Sequence, residues 1–229
     1  MAHDQLTDIG ACVFDAYGTL FDVAAAAAHC KDDLGDKMAP LATLWRDKQL
    51  SYSWLRSLMG EYVEFWQVTQ DGLDYSLAAL GLDGDPALRQ KLLDLYFKLD
   101  AYPEVKGVLT ALKAAGLKTA ILSNGSPDML DAAVRNAGIG EVLDDVQSVA
   151  DVGIFKPHPR VYQMSVDRLG VEAGRICFMS SNAWDAAAAA NFGFNVVWVN
   201  RFNQPPERLP GKIVTQLDNL SGLPGLLGL

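Results

Sequence analysis

Short apolar runs recur along this chain with room for one helix between each, and that alternation restricts the fold more than any other feature of the sequence. The runs are Ile9-Gly10-Ala11-Cys12-Val13-Phe14, Lys118-Thr119-Ala120-Ile121-Leu122, a weaker Asp145–Val149, Arg175-Ile176-Cys177-Phe178-Met179 and Asn195-Val196-Val197-Trp198-Val199. Continuous apolar runs of this length suit strands buried on both faces. Helical stripes lie between them. Val105, Val108, Leu109 and Leu112 share a face stopped by Gly116. Ser126-Pro127 opens a second helix, with Leu130, Ala133, Val134 and Ala137 as its buried stripe and Gly138 as its terminator. A third runs from Pro159 to Gly170 and a fourth over Ala183–Phe192. Strand and helix in this alternation predict an α/β fold with a doubly wound, parallel, Rossmann-like sheet.

One stretch breaks the pattern. From Phe21 to Ala101 every strong signal is helical. Leu41, Leu44, Trp45 and Lys48 share one helical face; Leu55, Leu58, Met59 and Tyr62 share another. Asp85-Pro86 opens a third helix with Leu88, Leu92, Leu95, Tyr96 and Leu99. The alanine runs Ala24–Ala28 and Ala186–Ala190 also read as helix. The expected division is a core of residues 1–20 and 102–229, with a helical cap subdomain, 21–101, inserted after the first strand. A cap over the carboxyl ends of the sheet would close the place where such folds bind ligands.

Composition narrows the partners. The chain has 229 residues, half of them apolar, enough for one large domain or a core with an insertion. A net charge of -9 leaves no footprint for nucleic acid and no basic cluster for anionic lipid. No apolar run approaches the ~20 residues of a membrane span. A small molecule is the expected partner, and an anionic one must be held by a few local cations against the field of the whole chain. Cys12, Cys30 and Cys177 form no CxxC pair, and Cys12 and Cys177 lie inside apolar runs, which favours free thiols in a reducing compartment. Residues 1–10 carry Asp4 and Asp8 and no export-signal pattern, so the cytoplasm is the expected location.

Ligands of open α/β sheets bind beyond the carboxyl ends of the strands. The residues there are Asp15-Ala-Tyr-Gly-Thr19, Ser123-Asn124-Gly125, Phe155-Lys156-Pro157 and Ser180-Ser181-Asn182-Ala183-Trp184-Asp185. A carboxylate, a hydroxyl, a cation and a second carboxylate therefore converge on one edge. Each has a plainer reading: Asp15 as a turn cap, Asn182 and Asp185 as a helix-capping pair, Lys156 as a solvated lysine, Ser123 and Asn124 as turn residues, and Arg46 in a surface ion pair.

In strand order, these motifs resemble the haloacid dehalogenase superfamily over essentially the full chain. More narrowly, the strings Phe-Asp15-Ala-Tyr-Gly-Thr-Leu, Trp-Arg46-Asp-Lys-Gln-Leu, Phe-Lys156-Pro-His-Pro-Arg-Val-Tyr162 and Ser180-Ser-Asn-Ala-Trp-Asp185 are similar to its (S)-2-haloacid dehalogenase branch. Phosphatases of the superfamily carry a second aspartate two residues after the first, as acid for the leaving oxygen, and hold magnesium with acidic residues of the last loop. Here Tyr17, Ser180 and Asn182 stand in those places. A hard cation prefers charged oxygen ligands, and halide departs without a proton. The resemblance thus implies no cofactor and no metal.

It also implies roles. Asp15 would attack the halogen-bearing carbon and form an ester. Lys156 and Asp185 would hold the nucleophile and activate the water that cleaves the ester. Arg46 and Asn182 would take the halide, with Trp184 alongside, and Ser123 with neighbouring backbone N–H groups would bind the substrate carboxylate. Tyr17, Leu50, Phe65 and Trp184 would form apolar walls; Thr19, Asn124 and Tyr162 would orient the reacting groups, with Ser180 beside them in the catalytic set. Asp47 departs from the neutral residue expected after the arginine and puts substrate range in question. The family further implies a homodimer and the S enantiomer. Two other readings stay open on the sequence: a magnesium-dependent phosphatase, and a catalytically dead receiver-like module.

Overall fold

The computed structural model describes residues 6–23 and 31–229. The alanine run Ala24–Ala28, His29, Cys30 and Asp4 lie outside them. Six parallel strands form one sheet: β1 Ala11–Phe14, β2 Lys118–Ser123, β3 Asp145–Ser148, β4 Ile176–Ser180, β5 Asn195–Val199 and β6 Thr215–Leu217, in the order β3-β2-β1-β4-β5-β6. Phe14 is level with Ile121 on one side and Met179 on the other, so Asp15, Ser123 and Ser180 emerge at one edge. The strand order reverses beside β1, which makes the end of β1 the crevice of the sheet.

Helices α1 Met38–Met59, α2 Phe65–Ala79 and α3 Pro86–Asp94 form the inserted helical segment; α4 Val105–Ala114, α5 Pro127–Ala137, α6 Pro159–Leu169 and α7 Ala183–Phe192 flank the sheet. Among the described residues no helix is long and apolar enough to cross a membrane. Asp85 caps α3, accepting from the N–H groups of Ala87 and Leu88 at 3.0 Å.

The structure differs from the sequence reading at four places. The two stripes before Asp85 belong to one helix, α1. Its first stripe buries Leu41 and Trp45, whereas Leu55, Leu58 and Met59 are exposed and Tyr62 lies beyond the helix end at Gly60. The second cap helix is α2, whose buried face mixes Phe65, Val68 and Leu73 with Thr69, Gly72 and Ser76, small and polar residues that blur an apolar stripe. The edge strand β6 has three half-exposed or exposed residues and leaves no apolar run to read. Ser126 is the residue before α5, yet its Oγ makes no cap there; it accepts the N–H of Trp66 at the start of α2, 2.8 Å away.

The chain leaving β1 and the chain returning from the helical segment run against each other. Phe21 bridges Ala101, Tyr102 N–H donates to Leu20 and Asp22 N–H to Asp100, each at 2.9 Å. After β5, a proline-rich strap from Phe202 to Gly211 crosses α7. Asn200 pins its start, donating to the Gln204 carbonyl at 2.9 Å and accepting the Gln204 N–H at 2.8 Å. Gly211 pins its end at φ +112, where a Cβ would meet the Ala187 carbonyl oxygen at 2.1 Å. Gly211→Ala combines a left-handed backbone with a backbone clash and is expected to cost about 2 kcal/mol or more. Urea denaturation checks this; an unchanged midpoint would mean that the strap does not seat on α7.

Candidate active site

Asp15 follows β1, and its N–H donates to Met179 at 2.8 Å, so the sheet ladder fixes its backbone. Lys156 comes from the loop after β3 and Asp185 from the first turn of α7. The Lys156 ammonium lies between the two carboxylates, 3.1 Å from Asp15 Oδ1 and 2.8 Å from Asp185 Oδ2, and its side chain is 1% exposed. Lys156 is thus no solvated loop lysine. Tyr162 is packed in the core, as its place on the helix stripe suggests, and its hydroxyl donates to Asp185 Oδ1 at 2.8 Å.

The second oxygen of Asp15 collects the remaining donors. Asn182 Nδ2 donates to Oδ2 at 2.8 Å, Thr19 Oγ1 at 3.2 Å and Ser180 Oγ at 3.4 Å. Asn182 stands at the N-cap position of α7 but makes no capping bond, so Asn182 and Asp185 are not a capping pair. Instead Asn182 Oδ1 accepts from Arg46 at 2.9 Å, which ties α1 to the sheet edge. That bond, and not a surface ion pair, is what holds Arg46 among the described residues. Ser181 was not singled out by sequence; its N–H donates to Thr19 Oγ1 at 2.8 Å and locks the β1 and β4 loops together. Its hydroxyl-rich string offered the signal.

Asn124 is more than a turn residue, whereas Ser123 makes the turn bond of its plainer reading. Asn124 Oδ1 accepts the N–H of Lys156 at 3.0 Å, fixing the loop that carries the ammonium. Ser123 Oγ accepts the Gly125 N–H at 3.0 Å and keeps its own proton to donate. Gly125 is required by close approach: a Cβ there would lie 2.7 Å from the Tyr17 ring. The Tyr17 hydroxyl is buried with no hydrogen-bond partner among the described residues, and burial, more than the nearby Tyr96 and Asp15, keeps it protonated far above the usual tyrosine range.

Electrostatics follow from burial. Burial alone pushes the Lys156 ammonium down, but the carboxylates of Asp15 and Asp185 outweigh it and leave its pKa raised. Asp185 is raised above the usual aspartate value, first by burial and further by Asp15, against the lowering from Lys156 and Tyr162. Among the described residues no cluster of three His, Cys, Asp or Glu side chains is placed to hold a metal ion.

A cavity of about 580 Å³ opens beside this cluster. Tyr17, Leu50, Phe65 and Trp184, read as apolar walls, all line it, with Arg46 and Asn182 at its inner end. Asp15, Lys156, Ser123 and Asn124 lie outside its lining. Asp47 is exposed and also outside it, so it does not shape this cavity. Sequence reasoning missed Trp45, Tyr96, Trp198 and the strap residues Phe202, Gln204, Pro205, Pro206 and Glu207, which close the far side. His158 caps α6 through Nδ1, which accepts the Arg160 N–H at 3.2 Å.

With this geometry in view, comparison with known proteins is informative. A family model described as haloacid dehalogenase-like hydrolase matches residues 9–193. The chain is 51% identical to (S)-2-haloacid dehalogenase 1 of Pseudomonas sp. (strain CBS-3), over 96% of each chain. It is 46% identical to (S)-2-haloacid dehalogenase 4A of Burkholderia cepacia, over 97% of this chain and 96% of the relative. It superposes with a TM-score of 0.89 on the L-2-haloacid dehalogenase of Xanthobacter autotrophicus with chloropropionic acid covalently bound, at 39% identity, over 96% of this chain and 98% of that one.

Removing the bridging cation tests the electrostatics. Lys156→Met leaves two buried carboxylates facing each other and is expected to cost about 3–5 kcal/mol near neutral pH. The folded-state pKa of Asp185, already raised, then rises further above its unfolded value, the folded state binds more protons, and stability falls as pH increases through that window. Part of the loss should therefore return at about pH 5. Urea denaturation at both pH values measures it, and an equal loss at each would refute the account.

Proposed function

This chain belongs to the haloacid dehalogenase-like hydrolase family, and from that premise we propose how its buried carboxylates act. The enzyme is a hydrolase of carbon–halide bonds, an (S)-2-haloacid dehalogenase that converts short (S)-2-haloalkanoic acids to (R)-2-hydroxy acids and halide. The observation that carries the reading of the site is the Lys156 ammonium held between two buried carboxylates, with Tyr17 where a phosphatase needs an acid.

Asp15 attacks the halogen-bearing carbon from behind; a carbon–oxygen bond forms as the carbon–halogen bond breaks, and halide leaves with the bonding pair. Lys156, Asn182, Thr19 and Ser180 fix the nucleophile so that little reorganisation is needed. Arg46 and Asn182 receive the halide, with Trp184 alongside, where their donors stabilise charge that grows only in the transition state. Ser123 Oγ, the backbone N–H groups around Asn124 and the unpartnered Tyr17 hydroxyl offer donors to the substrate carboxylate. Leu50, Phe65 and Trp184 exclude water, which would mask a carboxylate nucleophile.

Water then attacks the carboxyl carbon of Asp15. Asp185 takes its proton, and its raised pKa brings it toward a useful base strength. Tyr162 orients Asp185, which returns that proton to the departing oxygen as the acyl–oxygen bond breaks; the hydroxy acid leaves and Asp15 releases the water's second proton to solvent. No step calls for a metal. Residues 21–101 serve as the cap, on a core of 1–20 and 102–229.

Two further assignments complete the proposal. Leu58, 85% exposed, stands with Met59, Leu55 and Tyr75 on the outside of the cap, and that apolar face supports a homodimer. Sedimentation should give twice the chain mass and Leu58→Glu should give monomer; a monomeric wild type would overturn it. The free buried thiols Cys12 and Cys177 support a cytoplasmic location, which recovery in an exported fraction would contradict.

Single turnover in heavy-oxygen water containing EDTA tests the chemistry. Label should enter the Asp15 carboxylate first and not the product, and Asp15→Ala should be inactive. Label found directly in product, or activity restored only by magnesium, would sink the mechanism. Arg46→Lys keeps the charge but misplaces its donors, and should slow Asp15 labelling about a hundredfold with a 2-chloro acid.

A further inference from the structure

Beyond the residues that meet the substrate, Arg201 occupies an unusual junction. It lies two residues after β5 and immediately before the strap, residues of which line the cavity. Its side chain is 8% exposed. One guanidinium nitrogen donates to the Thr19 carbonyl at 2.9 Å and to Glu104 Oε1 at 2.6 Å, and the guanidinium lies 3.7 Å from the centre of the Tyr102 ring. Glu104 also accepts the Leu220 N–H at 3.3 Å. Thr19 belongs to the loop of the nucleophile; Tyr102 and Glu104 belong to the chain returning from the cap. The same Thr19 donates to Asp15 Oδ2 and accepts from Ser181.

We propose that Arg201 is a positioning residue for dehalogenation: through the Thr19 carbonyl it fixes the side chain that orients Asp15, and it braces that loop against the returning cap linker. The physical reason is rigidity. Thr19 can aim its hydroxyl at one Asp15 oxygen only if its backbone is held. Its own N–H is already spent on a tight turn to Ala16 at 3.2 Å, so the carbonyl is the remaining handle. A planar guanidinium can grip carbonyl and carboxylate while lying flat on a ring, whereas an ammonium cannot do all three. A loosened nucleophile loses rate without losing affinity, since the groups that hold the substrate carboxylate sit on the far side, at β2.

The inference rests on Asp15 as nucleophile, so the label experiment above is repeated on each variant: label still entering Asp15 keeps that premise separate from the role of Arg201. Arg201→Met should lower kcat about thirtyfold with KM within about threefold, at an ester-formation step that single-turnover label kinetics read directly. Arg201→Lys should recover part of the rate, and it serves alone should the methionine variant not fold. Thr19→Val should slow the wild type more than it slows the Arg201 variant, because both act on one element. The proposal is overturned if kcat of the folded variants stays at the wild-type level while only their urea midpoints fall, if KM alone rises, or if the Thr19 and Arg201 effects simply multiply.

Discussion

The Lys156 ammonium between Asp15 and Asp185 is the contact on which the rest of the structure depends. Three formal charges sit where water scarcely reaches, and each would cost several kcal/mol to bury uncompensated. Compensation comes from Tyr162 on α6, from Thr19 in the loop after β1, and from Ser180 and Asn182 where β4 passes into α7. Such a cluster forms only if β1, β3 and β4 end at matched heights. The parallel register, with Phe14 level with Met179 and Ile121 and Ser123 level with Ser148, supplies that match. Fold and site are therefore not separable: a slipped strand would strand a buried charge, and a missing donor would strain the sheet edge.

The helical segment reaches this edge through few polar contacts and a larger aromatic one. Arg46 meets Asn182, Trp66 N–H meets Ser126, and Ser57 accepts the N–H of Phe155. Around them Tyr62 and Phe65 pack on Phe155, with ring centres 5.0 and 6.1 Å apart, and Trp54 meets Trp184 edge to face at 5.4 Å. Aromatic area excludes water while the polar contacts fix register, and a dry pocket strengthens each electrostatic interaction within it.

How much of this was legible varied with the kind of signal. The five longer strands, α4 to α7 and the residues at strand ends could be read because burial on both faces writes continuous apolar runs. Asp15 is a charged residue placed directly after such a run, and Lys156 and Asp185 follow theirs within the next loop or helical turn, in motifs that sequence displays. Contacts across long separations are not written locally. Ser126 looks like a cap and serves another helix, and α2 buries Thr69 and Ser76 because Trp45 and Gln49 of α1 bond to Thr69. The strap resembles any proline-rich loop until Gly211 is seen against α7, and Arg201 gives no periodic signal at all.

Charge decides how an anion can be handled by a chain of net charge -9. The inner triad sums to one negative charge, so Lys156 offers an arriving carboxylate no net attraction and mainly keeps Asp15 and Asp185 from repelling each other. Among the described residues lining the cavity, Arg46 is the one cationic side chain and Glu207, on the strap, the one anionic. Under the proposed roles, neutral donors at the end of β2 would seat the substrate carboxylate, holding it away from Asp15 without neutralising the nucleophile. That leaves Arg46 free for the second charge, which exists only as the carbon–halogen bond breaks. A cation spent on the ground-state carboxylate would tighten binding without speeding the reaction, whereas one reserved for the departing halide lowers the barrier itself. In the proposed scheme, uncharged donors on the sheet take the charge present from the start, and the charged donor on α1 takes the charge that the reaction creates.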